Sequence, residues 1–262
     1  MLRLVGIAVA VATLQLGCKP KDTPTPSGME QLSPTPTATV LPKPSATPTP
    51  PVKGVEPRKQ EPPTVAAVEK AFTKVITNEQ EKRWWQGKIR PTWEIPANLA
   101  VEKFKRTRPR YVAVQNMRSN GVPAAVIFCL HYRESSNDFS CHLHEGSSLQ
   151  HRTRYVPKGR PLHPDPPYKW EVSAEDAIYV ADKLQGDWSN ISWAFNKMEG
   201  YNGWGYRNKG RESPYIESGT QYYTSGKYVA DGRFSSTAVD QQLGCRAILI
   251  RMRELGLEPF TK

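Results

Sequence analysis

Val122-Pro-Ala-Ala-Val-Ile-Phe-Cys-Leu-His-Tyr-Arg-Glu-Ser-Ser136 is an apolar run that ends in a carboxylate, Glu134. Leu130, Ile127 and Val126 precede Glu134 at helical spacing, so a helix beginning near Val122 would project the carboxylate from its core-facing stripe. Burying a carboxylate costs free energy, and a helix C-terminus adds unfavourable negative charge beside it. Both conditions hold the proton on the acid and predict a proton donor near neutral pH. A general acid of this kind is what glycoside cleavage requires.

Helical patterns lie on both sides of this run. Upstream are Val65 to Thr77, with Val65, Val68, Phe72 and Val75 on one side, and Ala97 to Phe104. Tyr111 to Met117 leads into the turn Ser119-Asn120-Gly121. Downstream, Asn137 to Trp170 is polar, with prolines and glycines, and reads as loop or small β-hairpins. Ser173-Ala-Glu-Asp176 has the form of a capping box and predicts a helix to about Leu184. Trp188 to Glu199 carries Ile191, Ala194, Phe195 and Met198 in register. Ser213 to Phe234 has no helical period and is expected to form surface loops. Val239 to Leu255 predicts a closing helix. The expected class is mainly α with a small irregular or β lobe.

The folded region has to follow residue 63, because 13 of the 24 prolines lie before residue 64. Arg3 followed by the apolar segment Leu4 to Leu16 reads as a signal peptide, too short to span a bilayer. Gly17-Cys18 directly after it resembles a bacterial lipobox and makes Cys18 the lipidation site, although Gln15 departs from the usual Leu. Residues 19–63 are rich in Thr-Pro steps and poor in large apolar residues, so they are expected to be a disordered linker. At about 3.1 Å per residue in polyproline II, the linker could reach on the order of 100 Å from a membrane. Three regions result: residues 1–18 as signal peptide with lipobox, 19–63 as linker and 64–262 as the domain. Export is therefore expected, as a periplasm-facing or outer-membrane lipoprotein or in secreted form.

Formal net charge is +11; seven Lys/Arg and four Asp/Glu precede residue 64, leaving +8 on the domain. That balance favours an anionic partner surface. Nucleic acid is not expected as a partner, because the chain is exported and shows no run of consecutive Lys/Arg or recognised binding motif. Beyond Cys18, Cys129, Cys141 and Cys245 permit one disulfide or none. Cys129 and Cys245 sit in apolar helical contexts and are read as small core residues.

A second chemical motif is Tyr201-Asn202-Gly203, a phenol and an amide beside glycines at a helix end. An apolar helix ending in Glu-Ser, followed much later by Tyr-Asn, resembles the goose-type lysozymes and family 23 lytic transglycosylases of the lysozyme superfamily. HYRESS, HLHEG, VPKGRP, YNGWGYR, SPYIESGT and GKYVADG together resemble a group of exported bacterial lysozyme-like proteins. That group includes a predatory-bacterium lysozyme acting on deacetylated peptidoglycan. The resemblance covers roughly Val122 to Leu255. It implies a lysozyme-like fold, Glu134 as the catalytic acid, and Tyr201 and Asn202 as residues lining the cleft. One departure is clear: nothing in Ser135 to Met198 matches the Gly-Leu-Met-Gln type motif usual in the transglycosylases. Hydrolysis by water is therefore expected over formation of an anhydro ring.

Hydrolysis normally uses a second carboxylate, about 5 Å away in retaining enzymes and roughly 6.5 to 9.5 Å away in inverting ones. Glu145 is the first candidate, against a surface-loop reading; Asp165 and Asp187 are weaker, since a Pro-rich loop and a helix cap account for them. His144 joins Tyr201, Asn202 and Trp204 as an expected substrate-binding residue. His131, His142 and His144 are read as ordering the loop beside the cleft rather than as metal ligands, and no cofactor is expected. Arg152, Arg154 and Arg160 are expected to pair with acids or hold loop backbone. Trp188 and Trp193 fit a helix core, while Trp204 among glycines could stack on a sugar face. The expected activity is cleavage of the β-1,4 glycan of peptidoglycan by a monomeric enzyme, with deacetylated wall as a possible preference. The alternatives are a lytic transglycosylase and a tethered wall-binding module without catalysis.

Overall fold

The computed structural model describes residues 79–155, 157–230 and 232–260. Cys18, the signal peptide, the linker and the helix expected over Val65 to Thr77 lie outside the described residues. Within them the chain is mainly α. The elements are α1 (79–86), α2 (Glu94–Gln115), α3 (Ala124–Ser135), α4 (Trp170–Glu175), α5 (Ile191–Asn202), α6 (Pro214–Glu217), the hairpin β1 (Lys227–Ala230) and β2 (Arg233–Ser235), and α7 (Cys245–Glu254). No helix among the described residues is long and apolar enough to cross a membrane.

Helix α3 is the centre of the fold. Every residue from Ala124 to His131 is buried, so the helix is enclosed on all sides rather than amphipathic. Helices α2 and α7 pack against it, and α4 packs on α2. Phe104 of α2 meets Phe128 of α3 at 5.3 Å, and Tyr111 meets Trp170 of α4 at 5.3 Å, both edge to face. Each such side chain contributes roughly 1.5–3 kcal/mol by burial. Cys129 and Cys245 are free, buried thiols where α3 meets α7, as expected of core cysteines.

Helix α2 is one element of 22 residues, where the sequence reads as two separate segments. Pro109 interrupts the pattern, but it lies on the exposed face and its ring costs only a local hydrogen bond. The stripe Ala97, Val101, Phe104, Tyr111, Val114 packs on the core on both sides of it, and this packing outweighs the break. Ser173 is not a helix cap: α4 begins at Trp170, and Ser173 sits buried inside the helix. Asp176 to Ala181 continues as a π-helical turn, and Leu184 lies beyond it. Asn190 caps α5, its side chain accepting the Trp193 amide at 3.0 Å, so this helix starts and ends three residues later than the pattern predicts. Helix α7 begins only at Cys245.

The region from Ser213 to Phe234, expected to be surface loops, contains the buried helix α6 and the hairpin. Pro214 starts α6 and supplies its fixed φ at the first helical position. Tyr228 pairs with Phe234 across the hairpin, and Tyr206 packs on Tyr228 at 5.1 Å. The described residues of 137–169 form the irregular lobe and contain no strand; an isolated bridge between Cys141 and Ser148 takes the place of the hairpins expected there.

Candidate functional site

Glu134 occupies the last turn of α3 and is 7% exposed, on the same face as the buried Val126, Ile127 and Leu130. The helix ends at once in Ser136, whose φ of 55° is left-handed. Arg133 anchors this end: its guanidinium reaches Asp240 at 2.8 Å and the Gln242 and Leu243 carbonyls at 3.1 and 3.2 Å. The same guanidinium lies 5.1 Å above the Tyr215 ring. The Tyr215 hydroxyl in turn donates to Glu134 Oε1 at 3.0 Å. Burial first, and then the Glu134 charge, push the Tyr215 phenol well above its usual range, so it stays a donor.

Tyr215 is the site residue that sequence reasoning missed. It lies in the quoted motif SPYIESGT, but no helical period marks its region. The available signal was Ser213-Pro214 followed by two apolar residues, the form of a short helix start.

Tyr201 is buried in the last turn of α5 and donates to the Leu143 carbonyl at 2.8 Å. It therefore fastens α5 to the irregular lobe. Its phenol is raised well above the usual range by burial and then by the negative charges of Asp182, Glu134 and Glu145. The charges of both candidate carboxylates thus act on one phenol, which is hydrogen-bonded to the loop that carries Glu145. Asn202 closes α5, and Gly203, at a φ of 96°, turns the chain away in a conformation that favours glycine. Trp204 lies over Gly200, where an added Cβ would meet the indole at 2.8 Å. Its ring is 43% exposed, with the Arg207 guanidinium 4.6 Å from its centroid.

Glu145 is fully buried rather than a surface-loop residue. Ser147 donates to Oε1, whereas Oε2 has no hydrogen-bond partner among the described residues. An unsatisfied buried carboxylate oxygen costs stability, and such costs concentrate at functional sites. His144 is also buried, its Nε2 2.9 Å from Asp176 Oδ2. Arg160 grips the same aspartate through both oxygens, at 2.9 and 2.5 Å. Burial raises the Asp176 carboxyl, but the hydrogen bonds from His144 and Arg160 outweigh it and hold the group below its usual range. His142 bridges Ser173 Oγ and the His151 carbonyl, both at 2.7 Å. The His142 and His144 side chains therefore order the lobe around Glu145.

The weaker acids lie elsewhere. Asp165 is exposed and pairs with Arg152 at 2.6 Å, while Asp187 accepts from Ser189 within its own turn and does not cap α5. Trp188 is buried, and Trp193 packs against it at 4.9 Å. Among the described residues no group of three or more His, Cys, Asp and Glu could hold a metal ion. Comparisons of the chain with protein-family models, with curated proteins and with solved structures find no match.

Proposed function

We propose that this chain is a glycoside hydrolase of lysozyme-like fold that cleaves the β-1,4 glycan of peptidoglycan, with Glu134 as general acid. The observation that carries the reading is a nearly buried carboxylate at the end of the central helix, held by a phenol that remains protonated. Burial disfavours the charged carboxylate, and the Tyr215 hydroxyl positions the group through one of its oxygens. Glu134 gives its proton to the glycosidic oxygen as the bond from that oxygen to the sugar's anomeric carbon breaks. Water adds to that carbon and loses its proton to a carboxylate, for which Glu145, with its unpartnered Oε2, is the candidate. Trp204, exposed beside Asn202, offers a flat apolar face for a sugar ring. Export, lipidation at Cys18 and tethering through residues 19–63 belong to the same proposal, since they would carry the domain to the wall.

The test is digestion of purified sacculi followed by mass spectrometry of the soluble fragments. Glu134→Gln is expected to keep the wild-type melting temperature within a few degrees and to release no fragments. Glu145→Gln is expected to lose hydrolysis as well. Full activity of Glu134→Gln would end the proposal, and anhydro ends in the products would replace hydrolysis with transglycosylation.

A further inference from the structure

Helix α6 faces two ways. It turns Tyr215 toward Glu134, and it turns Ile216 and Glu217, with the preceding Ser213, into a separate cleft of about 320 Å³ bounded by α1, α5 and the 207–212 loop. Pockets for small ligands begin at about this size.

Most charges lining the cleft are already paired. Arg246, itself fully buried, holds both oxygens of Glu217 at 3.0 Å, and Arg83 takes both oxygens of Glu212 at 2.5 and 2.8 Å. Three groups are left with capacity. Ser213 is 4% exposed, yet its Oγ makes no hydrogen bond to any described residue, not even the cap that its position before α6 would allow. Arg211 lines the cleft with no carboxylate partner among the described residues, its guanidinium carbon 3.7 Å from the Phe234 ring centroid. Glu199 is 7% exposed and, among the described residues, paired with Arg207 alone, through Oε2. Burial raises its carboxyl above the usual range even against the pull of Arg207.

A cleft lined by a guanidinium without a carboxylate partner, an unspent hydroxyl and a carboxylate paired through one oxygen matches a ligand with both charges. We propose that this cleft binds a small zwitterionic peptide, its carboxylate on Arg211 and Ser213 and its ammonium on Glu199. Guanidinium recognises a carboxylate in a planar, charge-assisted geometry, and the hydroxyl adds the donor that completes it. The ammonium adds a partner for Glu199 beyond the Arg207 contact to Oε2. The site shares no side chain with the Glu134 machinery, so it stands independently of the glycan-cleaving reading.

Isothermal titration of the full chain with Ala-Ala, N-acetyl-Ala-Ala and Ala-Ala-amide tests it. Saturable binding of Ala-Ala is expected, with each blocked peptide weaker by about tenfold or more, since each lacks one charge-assisted contact. Arg211→Gln, a change on an exposed side chain, and Ser213→Ala are each expected to weaken Ala-Ala binding by about fivefold or more. Lys105→Gln, on the exposed face of α2, should bind as wild type. The proposal is overturned by no binding of Ala-Ala up to about 10 mM. It is also overturned if a blocked peptide binds as tightly as Ala-Ala, or if Arg211→Gln binds with unchanged affinity.

Discussion

In the proposed reaction, a phenol aimed at a buried carboxylate has separable effects on catalysis and on binding. Tyr215 is 3% exposed and donates to Glu134, so under the proposed function its hydroxyl would act through the acid rather than on the substrate. Tyr215→Phe keeps the ring that Arg133 covers and removes only the O–H. A hydrogen bond to a charged or charge-developing group is worth about 1.5–3 kcal/mol, equivalent to about tenfold to a hundredfold in rate. The expected outcome is a kcat lower by that factor with KM nearly unchanged, measured on soluble glycan oligomers. A rise in KM with kcat intact would show that Tyr215 serves the cleft wall and not the acid.

At the scale of elements, the role of Ser173 separates two accounts of one helix. As a cap it would stabilise a helix start; in the structure it is inside α4 and its hydroxyl meets His142 Nδ1 at 2.7 Å. Ser173→Ala leaves that ring nitrogen buried without a partner, at a cost of about 1–3 kcal/mol, read as a lower melting temperature. Restoring stability by the second change His142→Phe, which removes the orphaned nitrogen, is the outcome specific to the buried pair. The same element shows where the sequence is legible. Helices α3 and α5 were readable because their buried faces repeat at helical spacing through the motif itself, from Val126 to Glu134 and from Ala194 to Met198. Glu134 stands on such a period, whereas Tyr201 and Asn202 stand out only through the Tyr-Asn-Gly motif and the resemblance it carries. Helix α6 has only four residues, too few for a period, and Tyr215 was missed with it. The start of α4 was misplaced because Ser173-x-x-Asp176 satisfies a local rule, whereas a tertiary hydrogen bond claims the serine. The burial of Glu145 depends on how 137–169 folds back over α4 and α5, and an irregular chain carries no pattern for that.

For the whole molecule, two neutral histidines buried in the assembled fold set its response to acid. His131 receives the Trp170 indole N–H at 3.1 Å and pairs with the Tyr111 hydroxyl at 3.0 Å. Burial, working against the Asp138 carbonyl, lowers its pKa to about 3. Burial likewise lowers His142 to about 4, against the His151 carbonyl. In the unfolded chain both would titrate near the ordinary value of about 6.5. A depressed folded pKa means that the unfolded state binds more protons at intermediate pH. The stabilisation is therefore complete above about pH 6.5 and is lost as pH falls toward the folded values. Each histidine contributes a slope of about 1.4 kcal/mol per pH unit, so lowering pH from 6.5 to 5 removes roughly 2 kcal/mol for each. Asp176 opposes nothing in this window, because its carboxyl is held below its usual range and titrates at lower pH. Denaturant unfolding followed between pH 7.5 and 4.5 should show stability level at the top and falling steeply below about pH 6.5. His142→Gln should remove about half of that slope. A curve flat to pH 5 would mean that these imidazoles accept protons within the native fold, and the hydrogen bonds joining α3, α4 and the irregular lobe would then have to rearrange without loss.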